Sequence, residues 1–306
     1  MDQKLSVVIP TNDRPASLPY ALASLRAQDV EDIQVVVVND GGASLDDVVA
    51  PFRDDMRLEL VTNPGNLGPA AARNAGFEAA DGDFVAFLGD DDVLLPGHFD
   101  AILPLLADGS ADFVYTTTKA STERHELSGE GYRDAVRVFD YDFDRDFLLV
   151  ANCIPTLGVV MRPPGASGPR FDENVRAAED WDMWLRLAAA GYRFRHVDVE
   201  SGIYHRLPRH GGEADPAAAQ ARALRFFHDS YTRLCARWQV DDQSLTAKGR
   251  SFVLRTYELA FSQLEESKKL LAPLWYEHMV RAVHRHHVGE LAPGDVEAAL
   301  REAIDG

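Results

Sequence analysis

The chain has 306 residues, enough for one large domain or for one domain and a smaller partner, and its 46% hydrophobic content is that of a globular protein. Forty-nine acidic against 31 basic residues give a net charge of -18, which repels nucleic-acid phosphates and anionic lipid surfaces, and no basic patch offsets it. Cys153 and Cys235 have no metal-ligand spacing, no signal-peptide pattern opens the chain and no apolar run is long enough to span a membrane, so the expectation is a cytoplasmic protein with reduced thiols.

Leu5 to Ile9 is a short β-branched run that ends in Pro10-Thr11-Asn12-Asp13-Arg14-Pro15, a loop of turn and cap residues. Leu18, Ala21, Leu22 and Leu25 then recur at helical spacing between Pro15 and Gln28, and Pro19 delays the start of the regular helix. Ile33 to Val38 is continuously apolar, the mark of a strand covered on both faces, and stops at Asn39-Asp40-Gly41-Gly42. Ser44 to Arg53 reads as a helix, Leu58 to Val61 as a strand and Pro69 to Ala80 as an alanine-rich helix carrying Arg73. Before that helix, Asn63-Pro64-Gly65-Asn66-Leu67-Gly68 either offers backbone N–H groups to a phosphate or makes an ordinary turn.

A fourth strand, Phe84 to Leu88, ends at Gly89 and three consecutive carboxylates, Asp90, Asp91 and Asp92. Adjacent carboxylates repel, and either water or a hard divalent cation relieves them; a metal site and a solvated turn capping the next helix are both open readings. The alternation of strand and helix predicts an α/β fold, a doubly wound and mostly parallel sheet, with ligands gathering beyond the carboxyl ends of its strands. Thr11, Asp40 and the acidic triplet all fall there.

Further elements are a helix over 96–107, strands over 113–117 and 156–161, and an unassigned polar stretch over 119–145. Glu179 and Asp180 open a helix whose apolar face is Trp181, Trp184, Leu185 and Ala188, so they read as cap residues or as site residues. His205 and His210, ahead of Gly211 and Gly212, are metal ligands or surface residues. After Asp215 the pattern turns helical, over 217–238, 245–271, 273–287 and 293–304. Two domains are therefore expected, 1–214 and 215–306, the second docked on the first or building a homodimer.

Val7-Val8-Ile9-Pro10-Thr11, Val37-Val38-Asn39-Asp40-Gly41-Gly42, Asn66-Leu67-Gly68 with Ala72-Arg73-Asn74, Gly82 to Leu88 with the acidic triplet, and Glu179-Asp180-Trp181 with Arg186 occur in that order. In this the chain resembles the family 2 inverting glycosyltransferases, which have the Rossmann-like GT-A fold. The resemblance implies sugar transfer from a nucleotide-sugar donor, UDP-linked, to an acceptor hydroxyl. It implies donor contacts from Pro10, Thr11, Asp13, Asp40, Asn66, Arg73 and Asp90, with Thr11 and Asp40 on the uridine. A divalent Mn2+ or Mg2+ would be held by Asp91, Asp92 and His205, and Asp180 would be the general base. Gly89 stands where the family commonly has the first aspartate of its Asp-any-Asp signature, and Asn39 where it often has aspartate. A sugar nucleotidyltransferase would instead show a glycine-rich basic loop after the first strand. A non-catalytic sugar-nucleotide-binding or scaffolding protein would not need both Asp91 and Asp180.

Overall fold

A computed structural model describes residues 4–124, 132–206 and 215–306. In chain order its first elements are β1 (Leu5–Thr11), α1 (Leu18–Arg26), β2 (Ile33–Asn39), α2 (Asp46–Val49), β3 (Arg57–Thr62) and α3 (Pro69–Ala79). There follow β4 (Phe84–Phe87), β5 (Val93–Leu94), α4 (His98–Ala107), β6 (Phe113–Ser121), β7 (Val136–Phe139), α5 (Arg145–Leu148) and β8 (Val159–Met161). The chain closes with α6 (Glu179–Ala189), β9 (Phe194–His205), α7 (Pro216–Arg237), α8 (Leu245–Ser262), α9 (Trp275–His287) and α10 (Pro293–Asp305). It divides into two compact units: residues up to Phe143 with Ile154–His205, and Asp144–Cys153 with Arg206–Gly306.

The first unit is built on a nine-stranded sheet of order β3-β2-β1-β4-β8-β6-β9-β5, with β7 paired to β6. β3, β2, β1 and β4 run parallel; β8 is antiparallel to β4 and β6, and β6 pairs parallel with β9. The fold is thus the expected mostly parallel α/β sheet, with a mixed half that carries β5 and β7. Alternate residues of β1 face opposite sides. Leu5, Val7 and Ile9 pack with Leu18, Leu22, Leu25, Phe99 and Ile102 from α1 and α4. The opposite face holds Phe77, Phe87, Phe171 and Trp184, whose ring centroids lie 5.3 to 6.5 Å apart in tilted and edge-on pairs. α3 crosses that face so closely that a methyl on Gly76 would sit 2.2 Å from Val8 Cγ1. Trp184, in turn, anchors α6: its ring is fully buried and its indole Nε1 donates to the Ile154 carbonyl at 3.0 Å.

The second unit collects α7 to α10 around a borrowed piece of chain, Asp144–Cys153. Asp144 caps α5, its Oδ1 accepting from the Asp146 and Phe147 N–H groups at 2.7 and 3.0 Å, while its Oδ2 faces His287 Nε2 at 3.0 Å. Tyr231 donates its hydroxyl to the Val150 carbonyl at 2.9 Å. Arg250, almost wholly buried, donates to three backbone carbonyls, Leu149 at 2.8 Å, Cys235 at 3.2 Å and Trp238 at 2.8 Å. The sequence division at 214/215 differs from this partition in two respects: the C-terminal part of the helical unit starts at Arg206, and the unit also includes Asp144–Cys153 from the middle of the chain. α8 stops at Ser262, short of the expected Leu271, because a π-helical turn over Gln263–Ser267 leads to Lys268 in a left-handed conformation, φ 54°. Neither cysteine is in a disulfide, and among the described residues no helix is long and apolar enough to cross a membrane.

Arg250 donates to three partly buried carbonyls, and its truncation removes all three bonds at once. Arg250→Ala is expected to lower the unfolding free energy by about 2–4 kcal/mol, read by denaturant titration, because bonds to a charged donor are lost and their acceptors are stranded.

Candidate functional site

The carboxyl ends of β1, β2 and β4 bring three polar groups together, and each is braced by a loop that its own sequence shapes. Asp40, buried just beyond β2, accepts from Asn63 Nδ2 at 2.8 Å, Leu67 N–H at 3.1 Å and Gly68 N–H at 2.8 Å. Both of its carboxylate oxygens therefore hold the Asn63–Gly68 loop. Asn12 ties the same loop to the first, donating to the Asp40 and Gly41 carbonyls at 2.8 and 2.6 Å and accepting from Asn66 Nδ2 at 3.0 Å. Gly41, at φ 75°, has no room for a side chain, since a Cβ would lie 2.5 Å from the Gly65 carbonyl carbon. Asp13 is itself left-handed, φ 51°, with Oδ1 against Gly42. Pro10 lies in β1 opposite Val38.

The acidic triplet separates into three fates. Asp90 is 0% exposed; Thr11 Oγ1 donates to its Oδ2 at 2.5 Å and Arg14 Nη2 lies 2.7 Å from its Oδ1. Burial pushes the Asp90 carboxyl up to about 6, against the downward pull of Arg14 and Thr11. Asp91 turns outward, its side chain 29% exposed, and pairs with Nη1 of the same Arg14. Asp92 turns inward. Its Oδ1 accepts the His205 N–H at 2.9 Å, and burial together with the Asp91 charge holds its carboxyl well above the usual range. His205 is also buried; its Nδ1 donates to the Asp91 carbonyl at 2.6 Å, and its Nε2 is hydrogen-bonded to the Tyr132 hydroxyl 3.1 Å away.

Asp90 and Asp91 are thus the two carboxylates of the triplet that converge on one cationic centre, with Arg14 in that position. Asp92 and His205 are instead bound to each other and to the surrounding backbone. Among the described residues no group of three or more His, Cys, Asp or Glu side chains is placed to hold a metal ion. The two converging carboxylates nonetheless fit a hard cation that a nucleotide diphosphate would help to ligate, since oxygen donors of this kind are what Mg2+ and Mn2+ take. His210, Gly211 and Gly212 lie outside the described residues.

Asp180 sits at the start of α6, on the helix that Trp184 anchors. Thr156 Oγ1 donates to its Oδ2 at 3.0 Å, and the Trp181 N–H donates to its Oδ1 at 2.8 Å. The preceding residue, Ala178, adopts a left-handed conformation, φ 58°, which a non-glycine residue rarely holds without a constraint from its surroundings. Glu179 is buried and forms an ion pair with Arg73 of α3. Its carboxyl is raised by burial, with Arg73 opposing that shift. Arg73, expected on the donor, is in this structure the partner that holds the start of α6 to α3. Asn74 beside it donates to the Phe171 carbonyl at 2.9 Å and accepts the Phe171 N–H at 3.0 Å. Arg14, Asn12, Asn63, Tyr132 and Thr156 were not singled out from sequence. For Arg14 a signal existed, a lone cation in the loop facing three carboxylates.

This GT-A-like arrangement of sheet and strand-end loops is that of a glycosyltransferase. The sequence model of "Glycosyl transferase family 2" matches residues 6–163, slightly more than half of the chain, and the chain belongs to that family. Asp180 and α6 lie beyond the matched residues. The "Uncharacterized glycosyltransferase YwdF" of Bacillus subtilis (strain 168) is 31% identical over 202 residues, 66% of this chain and 74% of that protein. A Campylobacter jejuni protein named GalNAc(5)-diNAcBac-PP-undecaprenol beta-1,3-glucosyltransferase is 32% identical over 191 residues, 60% of this chain and 59% of that one. Among solved structures, S. aureus TarS 1-349 superposes with a TM-score of 0.58 at 16% identity, covering 99% of this chain and 89% of that one. The mannosyltransferase PcManGT from Pyrobaculum calidifontis, crystallised with GDP-Man and Mn2+, gives 0.54 at 16% identity over 99% and 79% of the two chains.

Gly89 owes its identity to Asp92. A Cβ at Gly89 would lie 2.7 Å from Asp92 Oδ2, and Asp92 is held in place by the His205 N–H. Gly89→Ala is expected to cost about 1–3 kcal/mol of stability by overpacking, and to accelerate hydrogen exchange at the His205 amide. An unchanged exchange rate would mean that Asp92 has room to move.

Proposed function

We propose that the chain is a metal-dependent inverting glycosyltransferase that moves a sugar from a UDP-linked donor to an acceptor hydroxyl, with Asp180 as general base. The observation that carries this is the division of labour between two neighbouring carboxylates on α6. Glu179 is spent on Arg73, whereas Asp180 has one oxygen oriented by the Thr156 hydroxyl and belongs to a helix pinned by Trp184. A catalytic group needs that kind of support, because a hydroxyl is a poor nucleophile and its base must be held within hydrogen-bonding reach.

In the reaction, the acceptor oxygen attacks the anomeric carbon as its proton passes to Asp180, and the bond from that carbon to the diphosphate oxygen breaks with its electron pair leaving on the nucleotide. A single displacement of this kind inverts the anomeric carbon. Asp90 and Asp91 would hold the divalent cation, which supplies neutralisation of the charge that grows on the leaving diphosphate. Thr11 and the loop braced by Asp40 would line the nucleoside end, and Pro10, Asp13 and Asn66 lie on those same loops. Support for the donor class comes from outside the chain: TarS has been crystallised with UDP, and PcManGT with GDP-Man and Mn2+. Self-association through α7 to α10 belongs to the same reading.

Asp180→Asn retains size and hydrogen bonding but not the proton acceptor. Sugar transfer should fall by at least about a hundredfold, the usual worth of general-base catalysis, while calorimetry shows donor affinity nearly unchanged. Thr156→Val should reduce turnover by about tenfold or more through loss of one bond to a charged oxygen, again at nearly constant donor affinity. Transfer within a few fold of the parent by Asp180→Asn would place the base elsewhere.

A further inference from the structure

Arg14 occupies the point where Asp90 and Asp91 converge. Its Nη2 lies 2.7 Å from Asp90 Oδ1 and its Nη1 pairs with Asp91 Oδ2, so one planar guanidinium straddles two successive carboxylates. Nη1 hydrogen-bonds to Asp91 while Nη2 faces Asp90 as an ion pair, a span that the rigid planar guanidinium allows. A divalent cation binding to Asp90 and Asp91 needs those oxygens too, and two positive centres cannot share them at contact distance without strong repulsion. One of them has to leave.

The structure identifies which group is free to do so. Asp90 is fully buried and fixed by Thr11, whereas Arg14 comes from the loop after β1 with its side chain 42% exposed. A long exposed side chain exchanges partners through solvent at little cost in packing. Arg14 is also only three residues beyond Thr11, on the loop bound to the Asn66 loop through Asn12. Once released it remains close to where a nucleotide's phosphates would meet the cation, and guanidinium pairs well with phosphate oxygens.

We propose that Arg14 is a built-in competitor of the divalent cation: it holds the Asp90 and Asp91 pair until a metal arrives with a nucleoside diphosphate, and then transfers its guanidinium to the diphosphate. This rests on the metal-dependent reading above and adds a consequence. Metal alone must displace Arg14 with nothing to receive it, so it binds weakly. Metal with nucleotide provides a new partner for the guanidinium, so the two ligands favour each other's binding, and by linkage each enhances the other equally.

The test is Mn2+ binding to the full-length protein, followed by the electron paramagnetic resonance signal of free Mn2+, with and without UDP. The parent is compared with Arg14→Gln, which keeps a polar, planar end group but removes the charge, and with Arg14→Lys, which keeps the charge. Without UDP, Arg14→Gln should bind Mn2+ at least about tenfold more tightly than the parent, since removal of a contacting charge shifts an ionic equilibrium by a pK unit or more. Arg14→Lys should stay much closer to the parent. UDP should tighten Mn2+ binding strongly in the parent and much less in Arg14→Gln. Equal or weaker Mn2+ binding by Arg14→Gln, with the parent still taking up Mn2+ in the presence of UDP, overturns the competitor role and leaves the metal reading standing. No Mn2+ uptake by any of the three proteins, with or without UDP, overturns both.

Discussion

Three carboxylates in succession at the end of a buried strand cannot all point the same way, and the site takes its form from how they are separated. Asp90 goes inward to Thr11 and Arg14, Asp91 outward to the other arm of Arg14, and Asp92 back to the His205 backbone. Each destination has a cost that some other residue meets. Asp90 and Asp92 lose water and are pushed toward protonation, so both need donors. The Asp92 side chain needs the empty face of Gly89, and its bond to His205 ties the end of β9 to the turn beyond β4. β5 follows at once and pairs with Ile203 and Gly202 of β9, so the two-residue strand continues the same seam.

A second separation occurs on α6. Glu179 and Asp180 are neighbours in sequence, yet adjacent helical residues point about 100° apart, and here one faces α3 and the other Thr156. The buried Arg73–Glu179 pair is weak evidence for stability in itself, because desolvation offsets most of its attraction. Its clear effect is geometric: it assigns the two carboxylates different partners and fixes the start of the helix, next to the left-handed Ala178.

Much of this was legible in the sequence wherever one physical cause dominates a stretch of residues. β1, β2 and β4 read as apolar runs because they are covered on both faces, and the helix at Glu179 read from its aromatic spacing because Trp181 and Trp184 are core residues. β5 was not legible, since two residues carry no periodicity and exist as a strand only through β9. Nor was the membership of Asp144–Cys153, which depends on partners far along the chain. The site residues differ in the same way. Thr11, Asp90 and Asp91 lie together at the strand ends, where turn residues and charges gather in the sequence. Asp40 was singled out as a nucleoside contact, and the structure shows that its carboxylate braces the neighbouring loop, a use that an Asn-Asp-Gly-Gly turn signals equally well. Arg73 pairs with a residue 106 positions away, a contact that no local pattern in the sequence signals.

The borrowed segment in the helical unit bears on how the protein is made. Asp144 leaves the ribosome long before His287, its partner 143 positions later, and Val150 waits for Tyr231, 81 positions later. At typical synthesis rates of about 5–20 residues per second, the interval to His287 is roughly 7–30 s. Through that time Phe147, which with Leu148 and Val150 is buried in the finished protein, lacks the His284 and His287 rings that pack on it. A nascent chain in this condition is a natural client for a chaperone that holds short apolar segments, and such non-local closure is intrinsically slow. The helical tail is therefore the part of the molecule whose arrival ends the vulnerable period of synthesis.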